Sequence, residues 1–266
     1  MAAVVANYRA YRASPDAWAL GRLVVPAARL GELAGLLAAD SRAGPPLPLS
    51  AVLGPRVEEA LQAIEEFNRQ ATGARVEAIE AKAASQQDLP VMLAQLPSGW
   101  PRYVEIPFGE AGVGMLGALQ RGQAFAKIRT GGLTQEAFPR PDELLQFLER
   151  AAALGLSFKA TAGLHHPLRG TYRLTYEAAP PRGEMYGYLN LLLAAALAWS
   201  GGEPAELEAA LLEEQASAIR ADAGGLEWRG RRFDRDDLAA LRAEFFHGIG
   251  SCSFREPMDE LAAGGW

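Results

Sequence analysis

The chain has 266 residues, 49% of them hydrophobic, with a formal charge of −6 and a pI near 5.3. That length and apolar content suit one domain of α/β-barrel size over residues 1–266. The acidic balance excludes a phosphate-backbone binder, because Asp234, Asp236 and Asp237 offset the cluster Arg229, Arg231, Arg232 and Arg235.

A single cysteine, Cys252, excludes an intrachain disulfide and a Cys-rich metal site. The amino terminus lacks a basic region followed by an apolar core, so no signal peptide is expected. The most apolar stretch, Met185 to Trp199, is shorter than the about 20 residues that cross a bilayer. A cytoplasmic protein with no membrane contact is the expectation.

In chain order, a helix-like segment from Ala2 to Tyr11 comes first. The β-prone run LGRLVV (Leu20 to Val25) precedes a helix with Leu30, Leu33, Ala34 and Leu37 on one face. LPLSAVL (Leu47 to Leu53) leads to a helix opened by Pro55, with Val57, Leu61, Ile64 and Phe67 at helical spacing. RVEAIEA (Arg75 to Ala81) precedes a weaker helix through Leu89, Met92, Leu93 and Leu96. PRYVEIP (Pro101 to Pro107) precedes a short one from Val113 to Leu119.

FAKIRT is the fifth strand; its helix has Pro141 near the start and Gly155 as the stop. SFKATA is the sixth. An insertion of about 168–234 follows, holding the apolar helix, a second helix from Pro204 and a surface hairpin over Ile219 to Phe233. Asp234 caps another helix, FFHGIGSCSF (Phe245 to Phe254) is the seventh strand, and Glu256 to Ala263 closes the chain. Strands alternating with helices imply parallel pairing. The fold expected is α/β, a (β/α)8 TIM-type barrel whose first strand is absent or remodelled. An open doubly wound sheet is the runner-up, but its glycine-rich dinucleotide fingerprint is missing and no cofactor is expected.

The chemistry concentrates on strands. Lys127 and Lys159 occupy matching places in FAKIRTGG and SFKATAGLHH, and period two groups Lys127 with Arg129 and Lys159 with Thr161. Glu80 shares a face with Lys82, and Tyr103 with Glu105. The plain alternative is an internal ion-pair network among Glu80, Glu105, Lys82, Lys127, Arg129 and Lys159. Charges of this kind in a barrel interior favour a site for a small anionic substrate.

AKIRTGG and FKATAGLHH resemble the last strands of class I aldolases of the deoxyribose-phosphate aldolase type. The resemblance implies that Lys127 forms a Schiff base, with Lys159 lowering its pKa. GIGSCSF (Gly248 to Phe254) is similar to the phosphate loop of those barrels, which implies an anion at Gly250, Ser251, Cys252 and Ser253. Taken alone, Ser253 reads equally well as a helix cap. The chain departs from that pattern at Ile128-Arg129, at Ala162-Gly163, in the segment Leu164-His165-His166-Pro167 and in the insertion. Over most of its length it is similar to bacterial proteins carrying GLHHP and GSCSF motifs, a likeness that brings no activity with it.

His165 and His166 point to opposite sides of an extended chain, so one of them faces a pocket unless they sit in a turn. A substrate-orienting, a structural and a metal-ligand role all stand open, the last with Glu80 or Glu105 as partners. Arg169 is a candidate anion clamp with a surface arginine as its default. Asn190 inside the apolar helix either bonds locally or reaches a pocket.

The leading expectation is an enzyme acting on a small phosphorylated or carboxylated carbonyl compound by Schiff-base lyase chemistry. Lys127 is the nucleophile and Lys159 its electrostatic partner. Glu80 or Glu105 moves protons, Gly250, Ser251 and Ser253 bind the anion, and Arg129 or His165 orients the other end, with Thr161, His166 and Arg169 nearby. One alternative keeps the barrel and uses acid/base or metal-assisted chemistry. Another is a non-catalytic binding module, in which exposed strand edges invite a partner such as a second copy.

Overall fold

The computed structural model describes residues 1–39, 44–83 and 85–264, and the chain divides into two compact units, Met1–Glu105 and Ile106–Trp266. In the first unit the order is α1 (Ala2–Arg12), β1 (Leu23–Pro26), α2 (Leu30–Ala38), β2 (Leu47–Val52), α3 (Val57–Gln70), β3 (Ala74–Lys82), α4 (Leu89–Gln95) and β4 (Arg102–Glu105). The strands lie side by side in the order β1-β2-β3-β4, each pair parallel. Leu49, Ala51, Val76, Ala78, Ile79 and Val104 are fully buried, the apolar pattern of a covered parallel sheet. Asn68 on α3 fixes helix to strand. Its Nδ2 donates to the Val76 carbonyl at 2.9 Å and its Oδ1 accepts from the Val76 N–H at 2.8 Å.

The second unit contains α5 (Glu110–Arg121), β5 (Phe125–Arg129), α6 (Pro141–Leu154), β6 (Phe158–Thr161), the hairpin β7 (Gly170–Arg173) and β8 (Arg182–Met185), α7 (Tyr188–Trp199) and α8 (Pro204–Leu211). It continues with β9 (Ile219–Asp222), β10 (Gly225–Trp228), β11 (Arg231–Asp234), α9 (Arg235–Glu244), β12 (Phe246–Gly250) and α10 (Arg255–Ala263). Strands β5, β6 and β12 run parallel in that order. Phe158 sits at the centre of their packed side, stacked on Phe246 at 4.9 Å between ring centroids and edge-on to Phe147 and Phe245. Helix α6 starts at Pro141 and stops at Gly155, whose φ of 58° is the left-handed conformation that ends helices.

Seven parallel strands are present among the described residues, four in one unit and three in the other, at the seven places where the sequence puts them. The fold is therefore α/β, built of successive parallel β-α units. An eighth strand is not among the described residues, where the sequence leads one to expect an absent or remodelled first strand. Within the insertion, Ile219 to Asp234 is a three-stranded antiparallel sheet rather than the expected hairpin. A two-residue turn with positive φ at both Arg229 (47°) and Gly230 (81°) joins its last two strands. Among the described residues, no helix is long and apolar enough to cross a membrane.

Candidate active site

Strands β5 and β6 pair with Lys127 opposite Lys159 and Arg129 opposite Thr161. Neighbouring strands lie about 4.8 Å apart, so the two lysine backbones are separated by one strand spacing. Ala126, Ile128, Phe158 and Ala160 are fully buried on the packed side, which leaves the lysines on the other face. Lys127 is 8% exposed, Lys159 half-buried and Arg129 exposed. Phe125, at the amino end of the same face, meets the His247 ring edge-on at 4.7 Å. The face is thus graded along the strands: an aromatic floor, two lysines, then Arg129 and Thr161 at the carboxyl ends. The Thr161 hydroxyl donates to the Ile128 carbonyl at 3.3 Å, and Gly250 stands in register with Thr161.

The loops leaving β5 and β6 press together. A Cβ on Gly131 would stand 2.7 Å from the Gly163 Cα and 2.7 Å from the Phe138 ring, so this backbone approach requires glycine. The buried Thr130 hydroxyl donates to the Ala162 carbonyl at 2.7 Å. Ala162 and Gly163 both have positive φ, 66° and 73°. These glycines serve backbone packing in the structure.

The GLHHP segment is joined to α10. His165 Nδ1 lies 3.0 Å from Glu256 Oε2, and the Tyr176 hydroxyl donates to that same oxygen at 2.9 Å. The other His165 nitrogen, Nε2, faces the Cys252 sulfur at 4.0 Å. His166 turns away: its ring stacks on Tyr172 with 3.5 Å between centroids, and its Nδ1 meets Glu260 at 2.8 Å. Burial and then the Glu256 carboxylate push the Tyr176 phenol well above its ordinary range. The residue as a whole is 78% exposed.

No family model, curated protein or solved structure matches the chain. The other candidates are placed as follows. Arg169 is held by Glu184 at 2.6 Å and by Glu214, so its guanidinium ties the start of the insertion to two later points within it. Asn190 is fully buried: its amide donates to the Ala210 and Glu213 carbonyls, both at 2.8 Å, while its oxygen accepts from the Arg169 N–H. The Ser253 hydroxyl accepts from the Glu256 N–H at 3.2 Å in the first turn of α10, and the Ser251 hydroxyl accepts from the Ser253 N–H at 3.3 Å. The Glu256 carboxylate beside this loop opposes a second anion there.

In the first unit, Glu80 is 2% exposed and accepts from the Ser50 hydroxyl at 2.8 Å. Glu105 faces Lys82 at 3.5 Å across β3 and β4. Two clefts, of about 390 and 480 Å³, lie in the second unit and neither is lined by a lysine. Among the described residues, no group of three or more His, Cys, Asp or Glu is placed to hold a metal ion.

The lysine content carries a signal of its own. The chain has 26 lysines and arginines, of which lysine supplies only Lys82, Lys127 and Lys159. All three lie on strands of the parallel sheets, while arginine serves as the cation everywhere else. An amine can lose its proton and attack a carbonyl; a guanidinium cannot. Tyr176 and Glu256 were also missed. Ser253 and Glu256 together spell a capping box, which hides the use of that carboxylate by His165.

Proposed function

We propose that the protein is a cytoplasmic enzyme of barrel-derived α/β type acting on a small phosphorylated or carboxylated carbonyl compound. Lys127 is the amine that attacks the carbonyl, Lys159 is its electrostatic partner, and Arg129 receives the anionic group. The observation that carries this reading is the in-register pairing of Lys127 with Lys159 on one face of β5 and β6. A second cation one strand spacing away opposes double protonation, which favours a nucleophilic amine. The low exposure of Lys127 adds to this, since an imine persists better where water is scarce. Arg129, exposed at the strand end, has the planar fork that carboxylate and phosphate oxygens fit. The resemblance of AKIRTGG and FKATAGLHH to Schiff-base aldolases points the same way.

Borohydride reduction in the presence of pyruvate or glyceraldehyde 3-phosphate, followed by peptide mass spectrometry, tests the reading. With only three lysines in the chain the adduct is assigned without ambiguity. One adduct is expected on Lys127, lost in Lys127→Arg, which keeps the charge and removes the amine. Lys159→Met should slow trapping by about tenfold or more at neutral pH. No adduct with either carbonyl, or one confined to the exposed Lys82, overturns the proposal.

A further inference from the structure

A second constellation lies outside the lysine face: Cys252, His165, Glu256 and Tyr176. We propose that Cys252 is a catalytic nucleophile served by His165 as its base, with Glu256 as the positioning carboxylate, and that it takes an activated acyl group, an ester or thioester. The hydrogen bonds determine the tautomer. An ionised carboxylate only accepts, so the 3.0 Å contact to Glu256 Oε2 places the proton of a neutral His165 on Nδ1. Nε2 is then left with its lone pair toward the Cys252 sulfur, 4.0 Å away. That is the order nucleophile, base, orienting group on which activated thiols are built.

The surroundings fit this use. Cys252 is exposed and the sole cysteine, so no disulfide within the chain competes for it. The Glu256 carboxylate accepts from the Tyr176 hydroxyl at 2.9 Å, and the Glu256 backbone N–H donates to the Ser253 hydroxyl at 3.2 Å. A nucleophile at the turn before a helix, with its base on the neighbouring loop, needs no large rearrangement to close the remaining gap. Catalytic hydrogen bonds are often long before substrate arrives.

The step balances without any oxidant or reductant. The thiol proton passes to His165 Nε2, and the sulfur electron pair forms a C–S bond to the acyl carbon. The bond from that carbon to the alkoxide or thiolate leaving group breaks, and the leaving group takes the proton from His165. Water then splits the Cys252 thioester by the same relay in reverse, releasing the carboxylic acid.

Acetylation by p-nitrophenyl acetate, read by nitrophenolate release and intact mass on the full chain, tests the proposal. Wild type should acquire one acetyl group on Cys252. His165→Gly should slow this by about a hundredfold, with partial recovery when imidazole is added to the buffer, a recovery that a merely structural histidine would not give. Glu256→Gln should lower the saturating rate by about tenfold with little change in the half-saturating ester concentration. Equal rates for wild type and both variants, or acetyl groups on serine or lysine in place of Cys252, overturn it. If His165→Gly is found unfolded by circular dichroism, Glu256→Gln and wild type decide between the same two outcomes. The readout is thiol acylation and not imine trapping, so this proposal and the lysine reading fail or stand separately.

Discussion

Ala162 holds its backbone at φ 66°, where a Cβ crowds the following carbonyl, and Gly163 follows at 73°. The Thr130 hydroxyl on the Ala162 carbonyl and the Gly131 contact hold this shape at the exit of β6, immediately before His165. The left-handed conformation costs an L residue about 1–2 kcal/mol. Ala162→Gly is therefore expected to raise stability by about 1 kcal/mol, read as a higher urea midpoint, because glycine adopts this conformation without the Cβ clash. Gly163→Ala should do the opposite, by about 2 kcal/mol, because its Cβ would stand 2.8 Å from the Phe138 ring and 2.9 Å from the Thr130 carbonyl. Residues of this kind separate what a sequence shows from what it hides. The lysine alternation was legible because period two is strict on a strand. The partnership of His165 with Glu256 was not, because it joins loop to helix across 91 positions.

Glu213, just past α8, shows an element fixed by one carboxylate. It is 3% exposed and accepts from the Trp228 indole at 3.1 Å, from the Gln215 N–H at 3.0 Å and from Arg229 Nε at 2.8 Å. Burial alone would raise its carboxyl. The Gln215 N–H, the indole and the Arg229 guanidinium outweigh burial and hold it below the usual glutamate range. A depressed carboxyl adds stability above the unfolded value and loses it as pH falls through the folded one. Glu213→Gln should thus destabilise the protein by about 2 kcal/mol at neutral pH, with the difference from wild type shrinking as pH falls through the depressed folded value. A difference independent of pH in urea melts would remove the charge from the argument. The three-stranded sheet that Glu213 anchors was only half legible, since its arginine-bearing turn looks nothing like Asn-Gly. The hairpin of β7 and β8 was invisible. It is held from outside, by Gln135, whose Oε1 accepts from the Glu184 N–H at 2.7 Å. The seven parallel strands, by contrast, carry their own signal in short apolar runs bounded by glycine, proline and helix caps.

At the scale of the molecule, carboxyls held low and phenols held high bound stability from both sides. The carboxyls of Glu32, Glu136, Asp142, Glu213 and Asp222 are all held low by hydrogen bonds, joined by an arginine partner in every case but Glu136. The phenols of Tyr8, Tyr103, Tyr172, Tyr176, Tyr186 and Tyr188 are all held high, with burial the first cause in each. The acids with depressed values give stability that fades as pH falls through their folded range. The phenols act in the opposite sense: below the unfolded value of 10.0 both states keep the proton, and above it the unfolded chain ionises first. Stability should therefore form a plateau about neutrality, falling below about pH 4 and again above about pH 10. Tyr186 is the sharpest probe of the alkaline side, because it is 5% exposed and its hydroxyl donates to the Pro139 carbonyl at 3.0 Å. Tyr186→Phe keeps the ring and removes the titrating group. It should lose about 1 kcal/mol at neutral pH with the hydrogen bond, yet show a shallower decline between about pH 9 and pH 12. If urea midpoints of wild type and Tyr186→Phe fall in parallel over that interval, buried phenols are not what limits the protein in alkali.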